Sequence, residues 1–248
     1  IGAPKNDDNG SNSGQVRVYE YSDGSWTQLG SDIDGEDQGD ESGWSISLSS
    51  DGSIVAIGAR YNDGNGGISG ITGHVRVYQY SNGSWTQIGQ DIDGEAGGDN
   101  SGWSISLNYD GTRIAIGAPK NDGANGSNTG HVRVYEYSNN VWTQLGQDID
   151  GEVGGDKSGW TVSLNANGGN RVAIGTDNSN YVRVYEYSNQ VWNQLGEDII
   201  GVGNGQSVSL SADGSIVAIG NYNNKGRVRV YEYSNGSWTQ LGQDIDGE

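Results

Sequence analysis

Five tryptophans repeat one local message along the chain. Trp26, Trp85, Trp142, Trp192 and Trp238 each lie in a Ser-Trp-Thr-Gln or Val-Trp-Xaa-Gln segment, spaced 59, 57, 50 and 46 residues apart. Self-similarity at a period of about fifty residues, with strand-like content, indicates propeller blades rather than helical repeats. Each unit spells four strands. The first is Gly-Trp-Ser-Ile-Ser-Leu (Gly43 to Leu48, Gly102 to Leu107). The second is the nearly continuous apolar run Ser53 to Ala59, which suits a strand covered on both faces. The third, His74 to Tyr80, alternates Val75 and Val77 with Arg76, Tyr78 and Tyr80. A Ser-Asn-Gly-Ser turn (Ser81 to Ser84) leads to the fourth, Trp85 to Ile92. Asn-Gly between two alternating segments is a strong hairpin signal, so the unit is expected to be an antiparallel meander.

Composition agrees. Glycine supplies 44 residues and proline 2, and turns rich in Gly, Asn and Asp suit short strands better than helices. Apolar residues reach only 32%, yet 8 Trp, 14 Tyr and the regular Val/Ile alternation argue against disorder. The net charge of −19 repels phosphate backbones, so neither nucleic acid nor an anionic membrane is an expected partner. No apolar run is long enough for a membrane span, and with no cysteine there is neither a disulfide framework nor a thiolate metal site.

The expected fold is therefore all-β, one propeller over residues 1–248. Its about five four-stranded antiparallel units cover approximately 1–42, 43–101, 102–158, 159–204 and 205–248. The first unit enters near the end of a second strand, so one blade lacks its first strand and most of its second. A piece of a longer array accounts for this. A strand donated by a neighbouring copy, which would make a polymer, is the alternative.

Gly-Trp-Ser-Ile-Ser-Leu, Ile-Ala-Ile-Gly-Ala-Pro (Ile114 to Pro119) and Gly-His-Val-Arg-Val-Tyr (Gly130 to Tyr135) resemble the FG-GAP repeat of integrin α-subunit propellers. The likeness extends to the FG-GAP-like repeats of large secreted surface proteins. The Val-Tyr-Glu-Tyr-Ser-Asn-Xaa-Xaa-Trp segment is also similar to kelch repeats. The resemblance implies a propeller with adhesive or structural roles at the cell surface or outside the cell. One departure matters. Where integrin-type repeats carry a Ca2+ loop between the first two strands, this chain has Ser49 to Gly52, Asn108 to Gly111 or Ser211 to Gly214. One carboxylate cannot supply the roughly six to eight oxygens Ca2+ takes, so that site does not carry over.

The remaining metal candidates are the acidic connections between units: Asp32, Asp34, Glu36 and Asp40; Asp91, Asp93, Glu95 and Asp99; Asp148, Asp150, Glu152 and Asp156. Clustered carboxylates repel unless a cation or donors intervene, and oxygen ligands select Ca2+ or Mg2+. The competing reading has them accept backbone N–H groups or pair with the repeated Arg17, Arg76, Arg133, Arg183 and Arg229. Those arginines are expected to bridge blades. The fourth unit breaks the motif at Asp198-Ile-Ile200-Gly-Val202. Asn9, Asn82, Asn125 and Asn235 match the N-glycosylation acceptor, although Asn-Gly-Ser also suits a hairpin turn.

His74 and His131 share a position that elsewhere holds Gln15, Tyr181 and Arg227, which reads as a strand surface site. No Ser-His-Asp set, nucleophile elbow or zinc spacing occurs. The expectation is a non-catalytic extracellular module that requires no cofactor, with Ca2+ the one ion in question. Its partners would be a protein, a glycan or copies of itself. A glycan- or protein-binding propeller is the runner-up, and a carbohydrate-active enzyme is a weaker third.

Overall fold

A computed structural model describes residues 1–64, 70–201, 203, 205–222 and 225–247. They form twenty-five strands, with no α-helix among the described residues. The first unit contributes β1 (Gly2–Ala3), β2 (Gln15–Val16), β3 (Tyr19–Ser22), β4 (Ser25–Gln28) and β5 (Ile33–Asp34). The second has β6 (Ser45–Leu48), β7 (Ile54–Ala59), β8 (His74–Ser81), β9 (Ser84–Gln87) and β10 (Ile92–Asp93). The third has β11 (Ser104–Leu107), β12 (Arg113–Ala118), β13 (His131–Ser138), β14 (Val141–Gln144) and β15 (Ile149–Asp150). The fourth runs through β16 (Thr161–Leu164), β17 (Arg171–Gly175), β18 (Tyr181–Ser188), β19 (Val191–Gln194) and β20 (Ile199–Ile200). The last holds β21 (Ser207–Leu210), β22 (Ile216–Asn221), β23 (Arg227–Ser234), β24 (Ser237–Gln240) and β25 (Ile245–Asp246).

Units two to five repeat one antiparallel sheet in meander order. The expected continuous fourth strand is corrected to two pieces. In the second unit β9 pairs with the end of β8 (Tyr78↔Gln87) and β10 with its start (Ile92↔Val75). Four residues, 88 to 91, stand opposite the two residues Arg76 and Val77, and a bulge results. The first unit holds only the end of a second strand, as expected, and its third strand is divided into β2 and β3.

Blades lock together through the residues that repeat. The second serine of Ser-Ile-Ser-Leu, and its counterpart in Thr-Val-Ser-Leu, is half-buried and bonded across the junction: Ser47, Ser106 and Ser163 Oγ accept the amides of Leu107, Leu164 and Leu210 in the next unit, each at 2.9 Å. Trp85, Trp142, Trp192 and Trp238 donate Nε1–H to the carbonyls of Leu29, Ile88, Leu145 and Leu195 in the preceding unit at 2.7–3.0 Å. Gly58 and Gly117 explain the glycine of Ile-Gly-Ala. A Cβ there would lie 2.3 and 2.1 Å from the carbonyl oxygens of Gly102 and Gly159, at the start of the next blade. Apolar layers fill the space between: Ile54, Ala56, Val75 and Val77 of one sheet meet Ile105, Leu107, Ile114 and Ile116 of the next. Ahead of the second sheet no such strand lies among the described residues, so Ile46 (40% exposed) and Leu48 (49%) line an apolar cleft of about 550 Å3 with Ile1, Val16 and Trp26.

Candidate functional site

The meander sends both long connections of each unit, second-to-third strand and unit-to-unit, to one end of the sheets. The short turns occupy the other end. Chemistry-bearing side chains gather at the loop-rich end for a local reason. In the fourth-strand bulge, the Gln of Trp-Thr-Gln donates to the first Asp of the acidic connection: Gln28 to Asp32, Gln87 to Asp91 and Gln144 to Asp148, each at 2.6 Å. The latch turns that carboxylate inward toward the third strand.

Facing it is a position that holds four residue types across the five units: Gln15, His74, His131, Tyr181 and Arg227. His74 and His131 are 2% exposed, which corrects their reading as surface sites. Variation there reflects a shared task instead: every occupant meets carboxylates. Gln15 donates to Asp8 and Asp34 at 2.9 Å. The Tyr181 hydroxyl donates to Asp156 at 2.7 Å, and Arg227 pairs with Asp244 and Asp246. The imidazoles come close without bonding, with Nδ1 4.0 Å from Asp91 Oδ2 in one and 3.9 Å from Asp148 Oδ2 in the other. Burial, reinforced by Arg76 or Arg133, pushes both histidines down to about 4.

Four of the five repeated arginines reach across junctions. Arg76 pairs with Glu36 (3.1 Å) and donates to the Asp34 carbonyl, while Arg133 does the same with Glu95 (3.1 Å) and the Asp93 carbonyl. Arg183 bridges Glu152 of the preceding unit and Asp198 of its own, each at 2.7 Å. Arg229 holds Asp244 and donates to the Gly201 carbonyl. Arg17 pairs within its unit, with Asp32 at 2.8 Å.

The acidic connections divide their carboxylates among separate duties. Asp40 and Asp99 are buried, and each accepts the backbone N–H three residues back (Asp37, Ala96) and the amide of Asn62 or Asn121. Asp156 accepts from Val153 N, Ser179 and Tyr181. Burial raises the Asp93 and Asp150 carboxyls. Among the described residues no three carboxylates of one connection gather within 4.8 Å. The fold instead unites Glu36 with Asp91 around His74, and Glu95 with Asp148 around His131. Val202, part of the broken fourth-unit motif, lies outside the described residues. Asn82 and Asn235 are exposed at the first turn position (φ 51°), whereas Asn9 and Asn125 spend their amides on the carbonyls of Gly35 and Gly151.

The sequence marks Trp44, Trp103 and Trp160 as one repeat position tied to packing between blades, but not that their rings form a row. Trp44, Trp103 and Trp160, at the starts of successive first strands, stack in series with ring centroids 5.3 and 4.5 Å apart. The Arg60 guanidinium lies 3.1 Å from the Trp44 ring centroid and is fixed by Glu41 at 2.8 Å. Gln206 takes the next position. The shared Gly-Trp start was the available signal, because first strands pack side by side.

No protein-family model matches the chain, and no curated protein does. Solved structures do. A protein of unknown function from Desulfotomaculum acetoxidans superposes with a TM-score of 0.62 at 14% identity, over 92% of this chain and 62% of that one. The periplasmic gluconolactonase PpgL of Pseudomonas aeruginosa gives 0.58 at 18%, over 94% and 64%. TolB of Acinetobacter baumannii gives 0.51 at 15%, over 92% and 48%. The fold is a β-propeller. At these identities the likeness concerns the fold alone, and the chain spans less than two thirds of each of these three chains.

Proposed function

We propose that the chain is a non-catalytic scaffold propeller of FG-GAP-like repeats, working at the cell surface or outside the cell. The observation that carries this reading is the use made of the repeated polar residues. Ser, Trp and Arg recur at successive junctions in the same contacts, and those contacts join blades. Propeller enzymes need unlike blades that bring unlike groups to one centre, whereas here like groups serve like junctions. The acidic surface suits an exterior setting, as does the fold shared with a protein named as periplasmic. Partners of such a module are proteins or glycans, copies of itself included.

The gluconolactonase name supplies the assay that separates scaffold from enzyme. Purified protein incubated with glucono-δ-lactone should hydrolyse it no faster than buffer alone. A saturable rate abolished by one point substitution at the loop-rich end would overturn the scaffold reading. One observation favours a binding role within it: Trp44 is 37% exposed at the head of the aromatic row, held in place by the Arg60 guanidinium over its ring. A glycan array should then show signal that Trp44→Ala removes.

A further inference from the structure

We propose that His74 Nδ1, Asp91 and Glu36 form one divalent-cation site, with His131 Nδ1, Asp148 and Glu95 forming a second, each suited to Zn2+ and each pinning two blades together. In both groups the candidate ligand atoms lie within 4.8 Å of one another. Two ligands on a tetrahedral zinc sit about 3.3 Å apart, so the 4.0 and 3.9 Å imidazole–carboxylate separations close with small side-chain rotations.

Several independent features point to a ligand. Neither imidazole makes a hydrogen bond among the described residues, although both are 2% exposed. Buried polar groups almost always find partners, yet each Nδ1 stands unbonded 4.0 or 3.9 Å from a carboxylate, and the wholly enclosed His131 Nε2 has no partner among the described residues. The carboxylates are held in place beforehand, Asp91 and Asp148 by the glutamine latch and Glu36 and Glu95 by Arg76 and Arg133. Such outer partners orient ligands in metal sites, and each arginine occupies only one carboxylate oxygen, Oε1. The local charge also fits. Two carboxylates and one guanidinium leave one net negative charge for the cation to offset, in a chain of net charge −19. A nitrogen with two carboxylates favours zinc or its neighbours over Ca2+, which takes more oxygens than are offered here. Glu36 and Glu95 belong to the unit before their histidine, so the ion would cross-link adjacent blades.

The chain carries its own control. Gln15, Tyr181 and Arg227 fill the same position in the other units by bonding to carboxylates directly, and no such cluster forms there among the described residues. Histidine-to-glutamine changes are therefore substitutions the fold already accepts.

The test is calorimetric titration of chelator-treated full chain with Zn2+, with Co2+ absorption as a second readout. Two equivalents should bind, His74→Gln and His131→Gln should each leave one, and the double variant none, with unchanged circular dichroism. Asp91→Asn and Asp148→Asn, which keep the glutamine contact, should weaken their own site tenfold or more if a histidine variant fails to fold. Zinc binding that survives in the double variants, no binding in the parent chain, or equal affinity for Ca2+ would each overturn the proposal.

Discussion

Trp192 shows what a repeated side chain does at a junction. It is 3% exposed, and its indole donates to the Leu145 carbonyl at 2.7 Å across the blade boundary. Trp192→Phe keeps most of the apolar volume but leaves that carbonyl short of a donor, and should cost about 2 kcal/mol in urea unfolding. Trp26 is the internal comparison: 69% exposed, with no such carbonyl partner among the described residues, so Trp26→Phe should stay within about 0.5 kcal/mol. The histidines set a pH dependence of defined sign. His74 faces Arg76, Asp91 and Glu36, and His131 faces Arg133, Asp148, Glu95 and Asp99. Both are lowered in the fold from 6.5 to about 4, so the unfolded chain binds more protons between those values. Their contribution is whole above the unfolded value and is lost as pH falls toward the folded one. Chelator-treated protein should lose stability between about pH 7 and about pH 5.5, above the ordinary carboxylate range, and the double His→Gln variant should show a flatter profile there.

The hairpins between third and fourth strands are the elements most plainly written in the chain. Both central residues take positive φ in every unit: Asp23 and Gly24, Asn82 and Gly83, Asn139 and Asn140, Asn189 and Gln190, Asn235 and Gly236. These are type I′ turns, as Asn-Gly demands. Gln190 is the poor fit, since a long side chain at φ 67° is strained where glycine is not. Gln190→Gly should raise stability by about 1 kcal/mol, read as a shift of the denaturation midpoint. Strand identities were legible because alternation and turn residues are local. The split of the fourth strand was not, because a bulge depends on how Gln87 and Asp91 close over β8 rather than on either segment alone. The histidine clusters were hidden for a related reason. Glu36 and Asp91 are far apart in sequence and meet only across a blade boundary. Variety among Gln15, His74, Tyr181 and Arg227 resembled tolerance when it was four ways of meeting a carboxylate.

At the scale of the whole molecule, blade spacing is set by backbone approaching backbone. Gly117→Ala would place a methyl carbon 2.1 Å from the Gly159 carbonyl oxygen, which neither sheet can yield without parting. It should destabilise by about 3 kcal/mol, whereas Gly52→Ala, with open space around its Cβ, should cost about 1 kcal/mol from its φ of 70° alone. The account as a whole rests on adjacent blades being bonded to each other through their first strands. Amide hydrogen exchange reads this residue by residue. The amides of Leu107, Leu164 and Leu210, bonded to serines of the preceding blade, should exchange only through global opening, while that of Leu48, which lacks such a serine among the described residues, exchanges freely. Rapid exchange at all four would mean that the sheets stand side by side without being joined, and would contradict the account.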